Sequence, residues 1–409
     1  MDSPALIIDH LNLVQIHYNQ AQLNSRLRQS TMHSRWHGRA NLLKSRINQW
    51  EKSLHDAQPL PTDIINKPIL PKNIFVLVHG VYGSPTDLAA IVKKLHLKFP
   101  SEDALIIQSR GNKGKTLRGL EKCGSNLAEE ISDILMKYRT GANQHQLSFV
   151  GHSLGGLIIR QSLIYLQEIF AKQNIECISY VSVCTPQLGS RCAGGTPSKN
   201  MWKFAVHQVL SMSLFYGKTG HELLFEDSPV VPLLESMSSP NSLQMQALQK
   251  FKHRTAVAVI EGDQLVSYAS ASMNPNLIEK MPTHKGSNEN WQWGMLHDGF
   301  SKTTKFGSML YDTFEELPQS PPVLAITSNG QPCDAGHHVA ISQSMLTNLL
   351  TLPWRRMHLK VDMEGIHKVH TLNLHVWPIG LMQPRNSLSG EFIDILVEML
   401  QCDHNNESD

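Results

Sequence analysis

The chain has 409 residues, 41% of them apolar and 18% charged, which supplies a buried core and excludes a mostly disordered or fibrous protein. That length fits two or three domains, or one elaborated α/β domain with an appendage. Lys and Arg number 37 against 35 Asp and Glu, and a net charge of +2 argues against nucleic acid as the main partner.

The N-terminal MDSPALIIDHLNLV lacks a cationic segment followed by an unbroken apolar run, so no secretory signal is predicted. Ile7, Leu11, Val14 and Tyr18, and again Leu43, Ile47, Trp50 and Leu54, recur at the spacing of one helical stripe. The middle of this region is basic, with Arg26, Arg28, Arg35, Arg39, Lys44 and Arg46. The region reads as a helical hairpin packed on the main body, with a basic membrane- or partner-binding helix as the alternative. Prolines from Pro59 to Pro71 mark a linker. Residues 1–70 are thus expected to be a helical extension, and residues 71–402 the main α/β domain.

From Ile74 the pattern alternates between strand and helix. IFVLV (74–78), ALIIQ (104–108), QLSFV (146–150) and CISYVSVC (177–184) read as buried strands. Segments 87–99, about 127–139 and 154–170 between them read as helices. Such alternation predicts right-handed crossovers and a mostly parallel sheet covered on both faces. Residues 187–250, rich in Ser, Gly, Met and aromatics, are expected to form a lid-like insertion. TAVAVI (255–260) resumes the sheet, and residues 282–345 are expected to be loop-rich. Met357, Leu359, Val361 and Met363 alternate with His358, Lys360 and Asp362, which predicts a half-buried strand. A helix over Phe392–Leu400 closes the domain.

The sharpest motif is Gly151-His152-Ser153-Leu154-Gly155, a GxSxG string set between a predicted strand and a predicted helix. A tight strand-to-helix turn strains the Ser153 backbone and lifts its hydroxyl to a helix N-terminus that favours developing negative charge. The competing reading is a Ser that merely caps the helix. Upstream, His79-Gly80-Val81-Tyr82-Gly83 ends the first strand. Acyl transfer needs two N–H donors for its oxyanion, and Leu154 and Val81 stand where such donors belong.

A serine nucleophile needs a base and an orienting carboxylate, in the chain order Ser, acid, His for this architecture. Asp263 closes the run VIEGD and is the preferred acid over Asp227 and Asp298. For the base, His370 follows the strand near 357–363 and precedes the last helix, with His367 and His375 close by and His297 more remote. His367, His370 and His375 do not make a metal motif, since no HExxH string or paired cysteines accompany them. No metal or other cofactor is expected, and the six cysteines contain no CxxC pair.

The blocks LVHGVYGSPTDL, SFVGHSLGGLIIR, CTPQLGS, TGHELLFEDSPVVPLL, LQKFKHRTAVAVIEGDQLVSYASA and WRRMHLKV…HTLNLHV together resemble the DUF676 family of serine esterases and lipases, from about Lys72 to Leu400. The resemblance implies an α/β-hydrolase fold with Ser153 as nucleophile, Asp263 in the D-x-x-V position as acid and His370 as base. Where the family often has Ala before that His and Pro after D-x-x-V, this chain has Val369 and Ser267. The implied reaction is hydrolysis of carboxylic esters, lipid acyl esters foremost. A catalytically silent interaction protein and an acyltransferase or thioesterase on the same machinery are the alternatives. The expected partner is a lipid or small ester. The expected setting is cytoplasmic, with peripheral contact to membranes or lipid droplets, because no apolar run approaches the roughly 18–20 residues of a membrane span.

Overall fold

The computed structural model describes residues 67–141, 143–190, 217–260, 263, 265–274, 300–304, 307–314, 336–361, 373–381 and 388–405. The chain divides into two compact units. One is Pro68–Asp227 with Leu233–Asp409. The other, Met1–Lys67 with Ser228–Pro232, lies almost wholly outside the described residues, as does the helical reading of its first 58.

In chain order the strands are β1 (Asn73–Val78), β2 (Ala104–Gln108), β3 (His145–His152), β4 (Ile175–Val183), β5 (His253–Val259), β6 (Phe300–Thr304), β7 (Gly307–Phe314) and β8 (Trp354–Val361). They form one sheet in the order β2-β1-β3-β4-β5-β8-β7-β6. The first six in that order run parallel, and β7 and β6 extend the sheet antiparallel. The helices are α1 (Ala89–Lys98), α2 (Leu120–Leu135), α3 (Leu154–Lys172), α4 (Gly217–Leu223), α5 (Leu233–Ser238), α6 (Leu243–Gln249), α7 (Tyr268–Ser272), α8 (Gly336–Leu349), α9 (Asn373–Val376) and α10 (Leu388–Asn405).

β1 shows why the parallel strands read as unbroken apolar runs. Ile74, Val76 and Val78 face a core built with α2, α3, α6 and α8. Phe75 and Leu77 face a second core built with α1 and α10. Burial on both faces removes the polar half of the period-two pattern. No helix among the described residues is long and apolar enough to cross a membrane.

Two expectations are corrected here. Over Met357–Leu359 the β8 segment is not half-buried: His358 is fully buried, and Tyr268 of α7 holds its Nδ1 at 2.9 Å. A single hydrogen-bonding partner over the sheet thus accommodates a polar residue in a core position. Nor is 282–345 mainly loop where it is described, since it carries β6, β7 and most of α8. FSKTT and GSMLYDTF interleave polar residues because they form the antiparallel margin of the sheet. Gln, Ser and Asn likewise dilute the apolar stripe of α8.

The last turn of α10 is tied under the sheet by polar side chains. His404 pairs through Nε2 with Ser148 Oγ at 2.7 Å and through Nδ1 with Asn73 Oδ1 at 2.8 Å. Asp403 accepts from Ser179 Oγ at 2.6 Å and from Arg355 at 2.7 Å. Helix α4 is tied to α2 in the same manner, because Glu222 accepts the Leu120 N–H at 2.7 Å.

These buried groups give stability a pH dependence. Burial lowers His152, His358 and His404 from 6.5 to about 3 and raises Glu222 from 4.5 to about 7. Below pH 6.5 the unfolded chain takes up protons on three imidazoles that the native state refuses, which favours unfolding. The native Glu222 takes up one that the unfolded carboxyl takes up only nearer pH 4.5, which opposes it. The imidazoles win, and near pH 5 the net uptake of about two protons corresponds to roughly 3 kcal/mol of lost stability per pH unit. Urea midpoints measured from pH 8 to 5 are therefore expected to be flat above pH 7 and to fall below 6.5. A midpoint unchanged down to pH 5 would contradict this.

Candidate active site

Four chain segments leave the C-terminal ends of parallel strands β1, β3, β5 and β8, the edge where open α/β sheets place their ligands. Those after β1, β3 and β5 bring residues singled out by the motifs, and the one after β8 brings His375. At the end of β3, Ser153 adopts φ 54°, ψ −128°, the left-handed region that L-residues rarely occupy. Its N–H is pinned to the Val183 carbonyl at the tip of β4, at 2.8 Å. The hydroxyl makes no capping bond to α3, so the helix-cap reading of this serine fails. Gly155 lets the turn close, because a Cβ there would stand 2.2 Å from the Val78 carbonyl oxygen.

At the end of β1 the HGVYG loop makes a tight turn, with the Gly83 N–H on the Gly80 carbonyl at 3.1 Å and the Tyr82 N–H on Thr116 Oγ1 at 3.1 Å. The turn abuts Ser153: a Cβ on Gly80 would lie 2.7 Å from Ser153 Cβ and 3.1 Å from its Oγ. Val81 therefore follows directly on the residue packed against Ser153, and Leu154 opens α3 from the other side.

Beyond β5, Asp263 turns back on its own chain. Its Oδ1 accepts the Leu265 and Val266 N–H groups, both at 2.9 Å. Its Oδ2 accepts Nδ1–H of His375 at 2.8 Å, with both side chains 3% exposed. A carboxylate can only accept, so His375 carries its proton on Nδ1 and presents a basic Nε2. His375 lies on α9, between Leu374 and Trp377, which are buried in the second core with Ile379. Gly380, at φ 86°, closes the following turn.

His370, the sequence-expected base, and its neighbour His367 lie outside the described residues, as does His297. The imidazole that Asp263 holds is that of His375. The signal for it was the apolar spacing of Leu374, Trp377 and Ile379, which docks the segment and buries whatever lies between. His152, just before Ser153, also meets this segment: its Nε2 lies 2.9 Å from the His375 carbonyl oxygen.

Cys184, at the tip of β4, had drawn no attention in the sequence. Its thiol, with Asp263 and His375, puts three ligating atoms within 4.8 Å of one another, a donor set that zinc can use. Hydrogen bonds already account for the cluster. Burial and the Asp263 carboxylate hold the thiol well above its usual range, so it keeps its proton for Asp263. The carboxylate is meanwhile engaged by two backbone N–H groups and His375.

The family model described as "Putative serine esterase (DUF676)" matches residues 69–274. "Putative lipase ROG1" of Saccharomyces cerevisiae is 30% identical over 226 residues, covering 53% of this chain and 31% of that protein. "Putative lipase C4A8.10" of Schizosaccharomyces pombe is 28% identical over 247 residues, covering 57% of this chain and 30% of that protein. The chain thus spans about a third of the length of these curated relatives. Among solved structures, lipase B of Aspergillus fumigatus is similar at 14% identity and a TM-score of 0.26, over 52% of this chain and 41% of that one. With strand order, nucleophile turn and a match over about half its length, the chain has the α/β-hydrolase fold and belongs to the DUF676 family of serine esterases.

Proposed function

We propose that the chain hydrolyses carboxylic esters, lipid acyl esters foremost, with Ser153 as nucleophile, His375 as general base and Asp263 as the acid that orients it. The observation that carries this reading is the buried Asp263–His375 hydrogen bond on segments that meet the strained Ser153 turn. The base role expected at His370 moves to His375 because Asp263 holds that imidazole.

Ser153 Oγ attacks the ester carbonyl carbon while its proton passes to His375 Nε2. The carbonyl oxygen takes the negative charge, and the Val81 and Leu154 N–H groups stabilise it. Collapse breaks the ester C–O bond, and the leaving alkoxide takes the proton from His375. Water then attacks the acyl-serine, again losing its proton to His375, and the carboxylic acid departs with Ser153 restored. Asp263 keeps its charge throughout and stabilises the imidazolium.

A lipid substrate is supported by the names of the fungal relatives. The test is the purified chain with p-nitrophenyl esters of increasing acyl length, triacylglycerol emulsions and phospholipid vesicles. Fatty-acid release favouring longer chains is the expected result. No hydrolysis of any ester would overturn the proposal.

A further inference from the structure

His152 belongs to the nucleophile motif but has no part in the steps above. It closes β3, so its backbone is as fixed as the turn that carries Ser153. Its ring points to the segment that carries the base. Nε2 lies 2.9 Å from the His375 carbonyl oxygen, and the two imidazole rings stand 4.9 Å apart, tilted by 48°. A carbonyl oxygen can only accept, so His152 donates through Nε2–H.

That carbonyl needs a donor. α9 has only four residues, too few to sustain themselves by helical hydrogen bonds, and the last carbonyls of a helix have no partner within it. The place of His375 is therefore set from outside the helix. Leu374, Trp377 and Ile379 anchor the segment in the second core. Two polar ties then fix the residue itself: Asp263, from the end of β5, holds its side chain, and His152, from the end of β3, holds its backbone.

We infer that His152 is a positioning residue, whose Nε2–H bond to the His375 carbonyl sets the base against the neighbouring Ser153. This rests on the triad reading proposed above. The groups facing His152 are His375, Asp263 and His79. Burial and the neighbouring His375 depress its basicity to about 3, so it stays neutral wherever the triad works. A charged imidazole beside the imidazolium of the reaction would oppose its formation. A neutral one leaves that charge to Asp263 alone. Misplacing a reacting group by about 1 Å costs on the order of 10²-fold in rate.

Three substitutions separate the hydrogen bond from bulk. His152→Phe keeps the ring and removes the donor. His152→Asn is polar but too short to reach, and His152→Gln places an amide N–H near the position of Nε2. Active sites are counted by fluorophosphonate titration, so that lost folding does not count as lost rate. Expected are a roughly 10²-fold lower kcat per titrated site in Phe and Asn, KM within a few-fold of wild type, and recovery of most of the rate in Gln. A merely structural role would lower the melting temperature and the number of sites but leave kcat per site intact. Should Phe not fold, Asn against Gln makes the same comparison. Phe or Asn turning over like wild type, or folded Gln as slow as either, overturns the inference. If wild type neither hydrolyses esters nor is labelled at Ser153, the triad reading itself has failed, which is a distinct outcome.

Discussion

Ser153→Ala is expected to lower ester hydrolysis on the order of 10⁴-fold or more, with the fold unchanged. Without the hydroxyl no acyl-enzyme forms, and only binding and oxyanion stabilisation remain, which leaves a small residual acceleration over water. Ser153 already carries a Cβ at φ 54°, so Ala there adds no backbone strain, and Ser153 gives α3 no capping bond, so the melting temperature should move little. Because the nucleophile and its base act as one unit, adding His375→Ala to Ser153→Ala should cost almost nothing more. Steady-state turnover of a p-nitrophenyl ester, with circular dichroism as the folding control, reads both. Unchanged turnover in Ser153→Ala would remove the nucleophile from the account.

His375→Ala is expected to cost on the order of 10³-fold or more in kcat, while His370→Ala stays within a few-fold of wild type. The physical difference lies in what each imidazole is given. His375 is buried and donates Nδ1–H to a carboxylate that is itself held by two backbone N–H groups. That arrangement fixes the tautomer and stabilises the imidazolium. His375→Ala also leaves the Asp263 carboxylate one donor short, at a cost of about 1–3 kcal/mol in stability, so rates are compared per folded molecule. Thermal melts and initial rates on the two variants decide the matter. A deep loss in His370→Ala with His375→Ala near wild type would return the base to the sequence assignment.

The contrast between those two histidines shows what a sequence displays and what it hides. Ser153 was legible because its chemistry is local: strand, glycine, serine and helix are contiguous, and the strained turn follows from their order. Asp263 was legible because it follows closely on a strand whose apolar run is plain. The strands from β1 to β5 were legible for the same reason, since burial on both faces leaves an unbroken apolar string. The Asp263–His375 contact was not, because it comes from a docking event. Leu374, Trp377 and Ile379 sink into the core beside α10, and that packing, with the His152 tie to the His375 carbonyl, carries one imidazole to Asp263. Position along the chain could not choose between residues five apart. His358 and Cys184 were hidden likewise, since a polar side chain in a core position declares itself only through a partner distant in sequence, Tyr268 for one and Asp263 for the other. The β6–β7 margin lacked signal because FSKTT and GSMLYDTF hold neither an unbroken apolar run nor a clean polar–apolar alternation.

The most direct measurement is fluorophosphonate labelling of the full chain followed by peptide mapping, run beside His375→Ala. A fluorophosphonate reports only a serine whose proton a neighbouring base can remove. One adduct per chain, on the peptide that holds Ser153, slowed by orders of magnitude in His375→Ala, is the expected result. No adduct, an adduct on another serine, or labelling indifferent to His375 would contradict the account.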